Sequence, residues 1–331
     1  MEQIYGIDLS KGKFDLSFRS ENGRKRKKEV KNTYPAICKF LSGLEKDSML
    51  CIEHTGVYGD LLIFLANYFG IKIYATPGYV IKHSLGLQKG KSDELDADRI
   101  REHGERFTDK LREAWLNSEN IQELRELNNL RALLVEQRKM LDTQNKDKKH
   151  AVYCSIKSHQ VYKNMKKSLD DQIRDLEIEI EKIIRKDEQM QQNSEIVQSI
   201  IGIGPVTTHE LIIKTHNFKK IATARQAASY AGVCPFPDSS GKMVKKSKVS
   251  KMRDKSLKKL LYLCAASAIQ YNKDMKLYYE KKIGEGKPGY LVLNNVANKL
   301  LRTIYALLET RQMYDPNYIC MDPRILDKNV A

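Results

Sequence analysis

The sequence contains no long apolar run. Its longest, Leu61 to Phe69, falls far below the ~20 residues that a membrane span requires, and this excludes a transmembrane protein. No signal-peptide pattern precedes the strand-like Ile4-Tyr5-Gly6-Ile7, so a cytoplasmic protein is expected. None of the six cysteines (Cys38, Cys51, Cys154, Cys234, Cys264 and Cys320) forms a CxxC pair. That argues against a zinc site and a disulfide framework, and for reduced thiols. Glycine and proline are absent from 118 to 190. Acids are scarce from Lys214 to Lys259, where thirteen Lys and Arg meet only Asp238 and Asp254.

What is present points to a polyanion. The 331 residues suffice for two domains with real cores, and 41% hydrophobic with 30% charged residues suits a globular protein with exposed helices. The formal net charge is +16 and the pI about 9.4. The 214–259 segment alone carries a net +11. Charge that served solubility alone would be spread evenly, so nucleic acid is the expected partner.

Residues 1–115 are expected to be α/β. Strands are predicted at Ile4–Leu9, at Lys13–Arg19 after a Ser10-Lys11-Gly12 turn, at about 28–32 behind a basic run (Arg24 to Lys28), at 48–53 and at 71–75. The fourth strand is nearly all apolar and should be central. Helices are predicted at 34–44, at 58–68 and from about Ser92. Residues 116–192 form a helical region. Leu169, Ile173, Leu176, Ile180 and Ile183 step by heptads, and Leu127, Leu130, Leu134 and Leu141 carry a weaker seam. Either a coiled coil between two chains or a hairpin within one would bury these seams. Residues 193–315 are expected to form a mainly helical C-terminal domain with a loop at Cys234–Gly241, followed by a tail at 316–331. This domain opens with Ile200-Ile201-Gly202-Ile203-Gly204-Pro205, a turn like that of a helix-hairpin-helix. There Gly202 and Gly204 would let backbone N–H groups approach a phosphate, although a glycine helix cap is the commoner use.

Four acids have positions that matter. Asp8 ends the first strand, Glu53 ends the fourth, and Asp93 and Asp96 lie three apart on one helix face. A ribonuclease H-like sheet sets its first and fourth strands side by side, which would bring the two strand-end acids together beneath such a helix. Carboxylates converging without basic partners need a cation, and oxygen donors suit Mg²⁺ or Mn²⁺. Asp98, five positions past Asp93, is expected to face away as a surface acid. Singly, each acid has a plainer reading as a turn or helix-start residue.

With these acids, further pieces resemble the DEDD transposases of insertion-sequence family 110, which include Piv-type DNA invertases. The pieces are Gly6-Ile7-Asp8, Glu53-His54-Thr55-Gly56-Val57-Tyr58, Lys91-Ser92-Asp93-Glu94-Leu95-Asp96-Ala97, Tyr230-Ala231-Gly232-Val233-Cys234-Pro235, Ser239-Ser240-Gly241-Lys242 and Val249-Ser250-Lys251-Met252-Arg253. They span about residues 4–310. The resemblance implies an RNase H-like (RuvC-type) N-terminal domain, with Asp8, Glu53, Asp93 and Asp96 as catalytic metal ligands. It implies a nucleophilic serine in a Ser-Gly context, here Ser240, although the motif admits Ser239. It also implies an element-encoded bridge RNA pairing with donor and target double-stranded DNA. A homo-oligomer (dimer or tetramer) is implied too, with acids and serine from different chains in a composite site. Family members typically carry Ala where His54 stands and Thr where Ser92 stands.

A serine hydroxyl needs activation by a base or metal. Once it has attacked a DNA phosphate, the phosphoserine link keeps the bond energy for rejoining. Lys242, Lys245, Lys246, Lys248, Lys251 and Arg253 are expected to bind the DNA backbone or the developing charge. The expected function is therefore an insertion-sequence transposase or recombinase. The rivals are a RuvC-like metal-dependent nuclease that uses water, and a non-catalytic nucleic-acid-binding protein. An actin-like ATPase is disfavoured because no second copy of the sheet is present.

Overall fold

In the computed structural model, β1 (Ile4–Leu9) sends Tyr5, Ile7 and Leu9 into an apolar core and Ile4, Gly6 and Asp8 to the opposite face. The structure describes residues 3–318 except 21, 55, 87–92, 117, 148–152, 154, 241–242 and 250–251, with backbone alone at 94, 147, 237–240 and 243–248. The chain divides into two units, residues 1–116 and 117–331. Among the described residues, no helix is long and apolar enough to cross a membrane.

The first unit is built on a five-stranded sheet of order β3-β2-β1-β4-β5, with β2 at Lys13–Arg19, β3 at Lys25–Lys31, β4 at Met49–Glu53 and β5 at Lys72–Thr76. β2 and β3 run antiparallel; β4 and β5 run parallel to β1. The expected juxtaposition of first and fourth strands is present. Met49, Leu50, Cys51 and Ile52 are all buried, as an apolar central strand requires.

Two crossover helices, α1 (Tyr34–Ser42) and α2 (Asp60–Tyr68), cover one face through Ile37, Phe40, Leu41, Leu62 and Leu65. After a short helix α3 (Gly78–Ser84), α4 (Asp93–Arg106) covers the other. α4 lies so close to β1 that a Cβ on Gly6 would stand 2.3 Å from both the Ala97 carbonyl oxygen and the Arg101 nitrogen. The third strand begins at Lys25 rather than Lys28, so most of the basic run lies within the sheet.

In the second unit, α5 (Glu119–Asp147) and α6 (Ile156–Lys186) form an antiparallel hairpin. Arg131 pairs with Glu177, Arg138 with Asp170 and Asp142 with Lys166; one number falls as the other rises. Within this chain the two helices pack on each other. The heptad residues Ile173, Ile180 and Ile183 are buried, whereas Leu130 stays exposed. The hairpin base joins α7 (Glu188–Gln198) and α8 (Pro205–Thr215) through Leu124, Ile180, Ile184, Met190 and Ile212.

The remaining core gathers α9 (Ala224–Ala231), α10 (Lys255–Tyr271), α11 (Lys273–Gly284) and α12 (Gly289–Thr310) around Leu261, Ala265, Val296 and Leu300. Gly202, at φ 99°, is required by packing: a Cβ there would fall 2.8 Å from the Ala268 nitrogen on α10. The segment expected as a loop at Cys234–Gly241 is instead largely strand: β6 (Pro235–Ser240) pairs with β7 (Met243–Val249), from Pro235↔Val249 to Ser240↔Met243. Alternating polar residues hide this ribbon from a reading based on apolar periodicity.

Candidate functional site

An acidic row crosses one face of the sheet. Asp8 stands opposite Asp15 on β2, and Asp15 opposite Glu29 on β3. On the other side Ile7 pairs with Ile52, so Glu53 follows beside Asp8. Because Gly6 admits the backbone of α4 at Ala97, the preceding turn carries Asp96 and Asp93 over Asp8.

The electrostatics record this gathering. Burial, then the charges of Asp96, Glu53, Asp93 and Asp15, push the Asp8 carboxyl up to about 6. The four sequence-predicted acids thus come together in unit 1, and Asp15 joins them. Asp15 lies within β2 and not at a strand end, so strand-end position does not single it out. The Ser10-Lys11-Gly12 turn holds the signal, since it sets β1 and β2 in the register that opposes Asp15 to Asp8.

The acids are near enough to repel but are not closed on one point. Among the described residues, no three His, Cys, Asp or Glu side chains form a cation cage. Instead Asp96 is turned onto Arg99 at 2.6 Å. Lys13 lies 2.6 Å from Glu29 and 3.7 Å from Asp15. The donors are all carboxylate oxygens, a set that fits a hard divalent cation. Glu53 packs against the start of α3, where a Cβ on Gly78 would lie 2.0 Å from its Oε1. His54 is exposed, and its backbone N–H donates to the Thr76 carbonyl at 3.1 Å. Thr55 and Ser92 lie outside the described residues.

Asp98 is not among the acids that act on Asp8, but it is not a surface acid either. It accepts a hydrogen bond from buried Ser17, lies 3.5 Å from Lys25 and 3.5 Å from buried Arg101. Burial raises its carboxyl, but Ser17, Lys25 and Arg101 outweigh that and hold it below the usual carboxylate range. The expectation failed because α4 lies over β1 and β2 together, which covers its flank as well as its underside. Arg101 also donates from Nε to Ser17 at 3.1 Å and pairs with Glu105, which Arg19 holds at 3.0 Å. This buried network fixes α4, and with it the height of Asp93 and Asp96 above the sheet.

In the second unit, two sequence-distant motifs meet at the root of the β6–β7 ribbon. The Asp254 N–H donates to the Tyr230 carbonyl at 2.9 Å, and the Tyr230 hydroxyl donates to Asp254 Oδ2 at 3.2 Å. Gly232, at φ 66°, leaves the space that Arg253 fills; a Cβ there would lie 2.5 Å from that of Arg253. Lys258 donates to the Gly232 carbonyl at 2.9 Å, and Asn294 to the Val233 carbonyl at 2.8 Å. Burial pushes the Asp254 carboxyl up, but hydrogen bonds from the Leu257 N–H, Ser256 and Lys214 outweigh it and hold the group low. Ser239 and Ser240 end β6, and Lys245, Lys246 and Lys248 lie on β7, all as backbone positions. Lys242 and Lys251 lie outside the described residues.

Two family models match this chain: a transposase model of the DEDD type in the IS110 family over residues 5–151, and the transposase IS116/IS110/IS902 family over residues 194–280. An insertion element IS116 uncharacterized 44.8 kDa protein of Streptomyces clavuligerus is 28% identical over 149 residues, 45% of this chain and 36% of that protein. A probable family 20 transposase of Pseudomonas aeruginosa is 27% identical over 152 residues, 45% of this chain and 44% of that protein. A pilin gene-inverting protein of Moraxella bovis is 24% identical over 328 residues, 95% of this chain and 98% of its own length. The chain belongs to the IS110 family of transposases. The aligned part spans 36% and 37% of the length of the first two curated relatives it matches.

Proposed function

We propose that this protein is a DNA transposase or site-specific recombinase whose first unit is an RNase H-like domain. The observation that carries the reading is Asp8. Its carboxyl, pushed to about 6, is surrounded by Asp96, Glu53, Asp93 and Asp15 in an all-oxygen donor set. The β1–β4 adjacency and the α4 crossing support the fold assignment. Asp8, Glu53, Asp93 and Asp96 would hold Mg²⁺, or Mn²⁺. Such an ion supplies charge stabilisation for the oxygens of a phosphodiester undergoing displacement.

Ser240 is proposed as the nucleophile. Its Oγ forms a bond to a DNA phosphorus as the bond to the leaving deoxyribose oxygen breaks. The hydroxyl proton passes to a base, and the leaving oxygen takes up a proton. The serine phosphodiester is later opened by a second strand's hydroxyl, so rejoining needs no ATP. Lys242, Lys245, Lys246, Lys248, Lys251 and Arg253 bind backbone phosphates of the double-stranded DNA. Gly204, which has open space around it, suits a phosphate approach better than Gly202, whose missing Cβ makes room for Ala268. A bridge RNA choosing the sites, and a dimer or tetramer as the working form, complete the proposal; they rest on the resemblance alone.

The test is a denaturing gel. Protein, flanking RNA, donor and target DNA are mixed with Mg²⁺, and wild type is compared with Ser240→Ala, Ser239→Ala and Asp8→Ala. A protein–DNA adduct lost with Ser240→Ala and Asp8→Ala but kept with Ser239→Ala supports the proposal. Cleaved DNA with no adduct, unaffected by Ser240→Ala, would instead identify a nuclease that uses water.

A further inference from the structure

The basic run Arg24-Arg26 through Lys28 takes no part in the function proposed above. It nonetheless occupies a defined place: β3 is the terminal strand of the sheet, two strands from Asp8. At ~4.8 Å per strand, that is about 10 Å from β1. Arg24, Lys25, Arg26, Lys27 and Lys28 are all exposed. The register sets Lys27 opposite Ser17 and Lys25 opposite Arg19 on the face that carries Asp15 and α4, while Arg26 and Lys28 rise on the face of Val30. The sheet edge is therefore basic on both sides. Lys25 lies 3.5 Å from Asp98, an acid already shared with Ser17 and Arg101.

We infer that this edge docks the sugar–phosphate backbone of duplex DNA, alongside the acidic row. One or two lysines suffice to keep an edge strand from pairing with another chain. Five consecutive exposed cations exceed that need, and even with Lys25 beside Asp98 they give the edge the positive potential that attracts a polyanion. At ~3.3 Å per residue the run covers about 17 Å, the axial rise of about five base pairs at ~3.4 Å each. Duplex DNA is the occupant because the proposed chemistry of the neighbouring acids acts on DNA phosphodiesters; the inference rests on that reading in this one respect. No apolar side chain interrupts the run, which distinguishes it from a protein-docking strand.

The experiment uses the full chain in chelator, so that binding is read without chemistry. Affinity for a duplex is measured against salt for wild type and for Arg24→Ala/Arg26→Ala/Lys28→Ala. The control is Lys157→Ala/Lys163→Ala/Lys167→Ala on exposed positions of α6. Each phosphate contact contributes about 0.9 to the slope of log affinity on log salt, so the β3 variant should be shallower by about 2–3 and the control unchanged. In parallel, duplex DNA should protect Lys25, Lys27 and Lys28 of the wild type from acetylation. Equal slopes for the two triple variants, or no protection of these lysines, would overturn the inference. So would protection by RNA but not by DNA. Failure of the catalytic reading is visible separately, in the adduct gel.

Discussion

Asp15 faces Asp8 directly across the antiparallel β1–β2 pair, so two carboxylates share one rung of the sheet with Glu53 beside them and α4 above. Asp15 is one of the four acids that raise Asp8. Its charge therefore weakens the ionisation of the group on which the proposed centre depends.

The first prediction concerns pH. The Asp8 carboxyl stands at about 6 in the folded protein against 3.8 ordinarily. A carboxyl raised on folding binds its proton more tightly in the native state. Its stabilising contribution is full below about 4 and is lost as pH rises through about 6. The metal-free protein should accordingly lose melting temperature between these values. Asp8→Asn should flatten that loss, and Asp15→Asn should reduce it by lowering the Asp8 pKa. Thermal melts in chelator across this range check it; an unchanged slope in Asp8→Asn would contradict the cluster.

Glycines at two positions should fail in opposite ways. A Cβ on Gly78 meets the far end of the flexible Glu53 side chain. Gly78→Ala should therefore cost less than about 1 kcal/mol of stability but displace Glu53 and weaken Mn²⁺ binding about tenfold. A Cβ on Gly6 meets the backbone of α4, which cannot step aside, so Gly6→Ala should cost about 1–3 kcal/mol or more. Gly12, with nothing within 4 Å, is the control. Urea denaturation and Mn²⁺ titration by calorimetry separate the two effects.

Much of this was legible in the sequence. The strand-end positions of Asp8 and Glu53 follow from apolar periodicity, and the spacing of Asp93 and Asp96 from the helical turn. Gly6 was visible only as part of a motif; that it admits α4 is a tertiary fact. The burial of Asp98 is not legible from helical spacing, which gives angle and not the width of the surface beneath. The β6–β7 ribbon was missed because Asp238, Ser239, Lys245 and Lys246 do not alternate with apolar residues, and the Tyr230–Asp254 contact joins residues 24 positions apart.

Arg101 offers a test of how α4 is held. It is buried and bonded to Ser17, Glu105 and Asp98. Replacing it with Met leaves Asp98 and Glu105 short of a partner beneath the helix. Breaking a buried pair costs about 3–5 kcal/mol, and Lys25 and Arg19 remain to offset part of it, so a loss near about 3 kcal/mol is expected. A midpoint shift in urea equal to that of an exposed pair such as Arg174–Asp171 would contradict the buried network.

The last prediction separates folding from ribbon placement in the second unit. Asp254 caps α10 by accepting from the Leu257 N–H at 2.9 Å, and it ties the ribbon root to Tyr230. Tyr230→Phe removes only the second tie. The acceptor is an ionised carboxylate, for which a hydrogen bond contributes about 1.5–3 kcal/mol; the tie is exposed and the cap stays, so stability should fall by about 1.5 kcal/mol or less. Asp254→Ala removes both, together with the contacts from Ser256 and Lys214, and should cost more, about 2–3 kcal/mol. The two motifs also meet at Gly232 and Arg253 and along the Pro235–Val249 pairing, yet the ribbon carrying Ser240 should lose amide-exchange protection at Val233 and Cys234 in Asp254→Ala more than in Tyr230→Phe. Equal exchange in the two variants would mean that the Asp254 side chain does not hold the ribbon root.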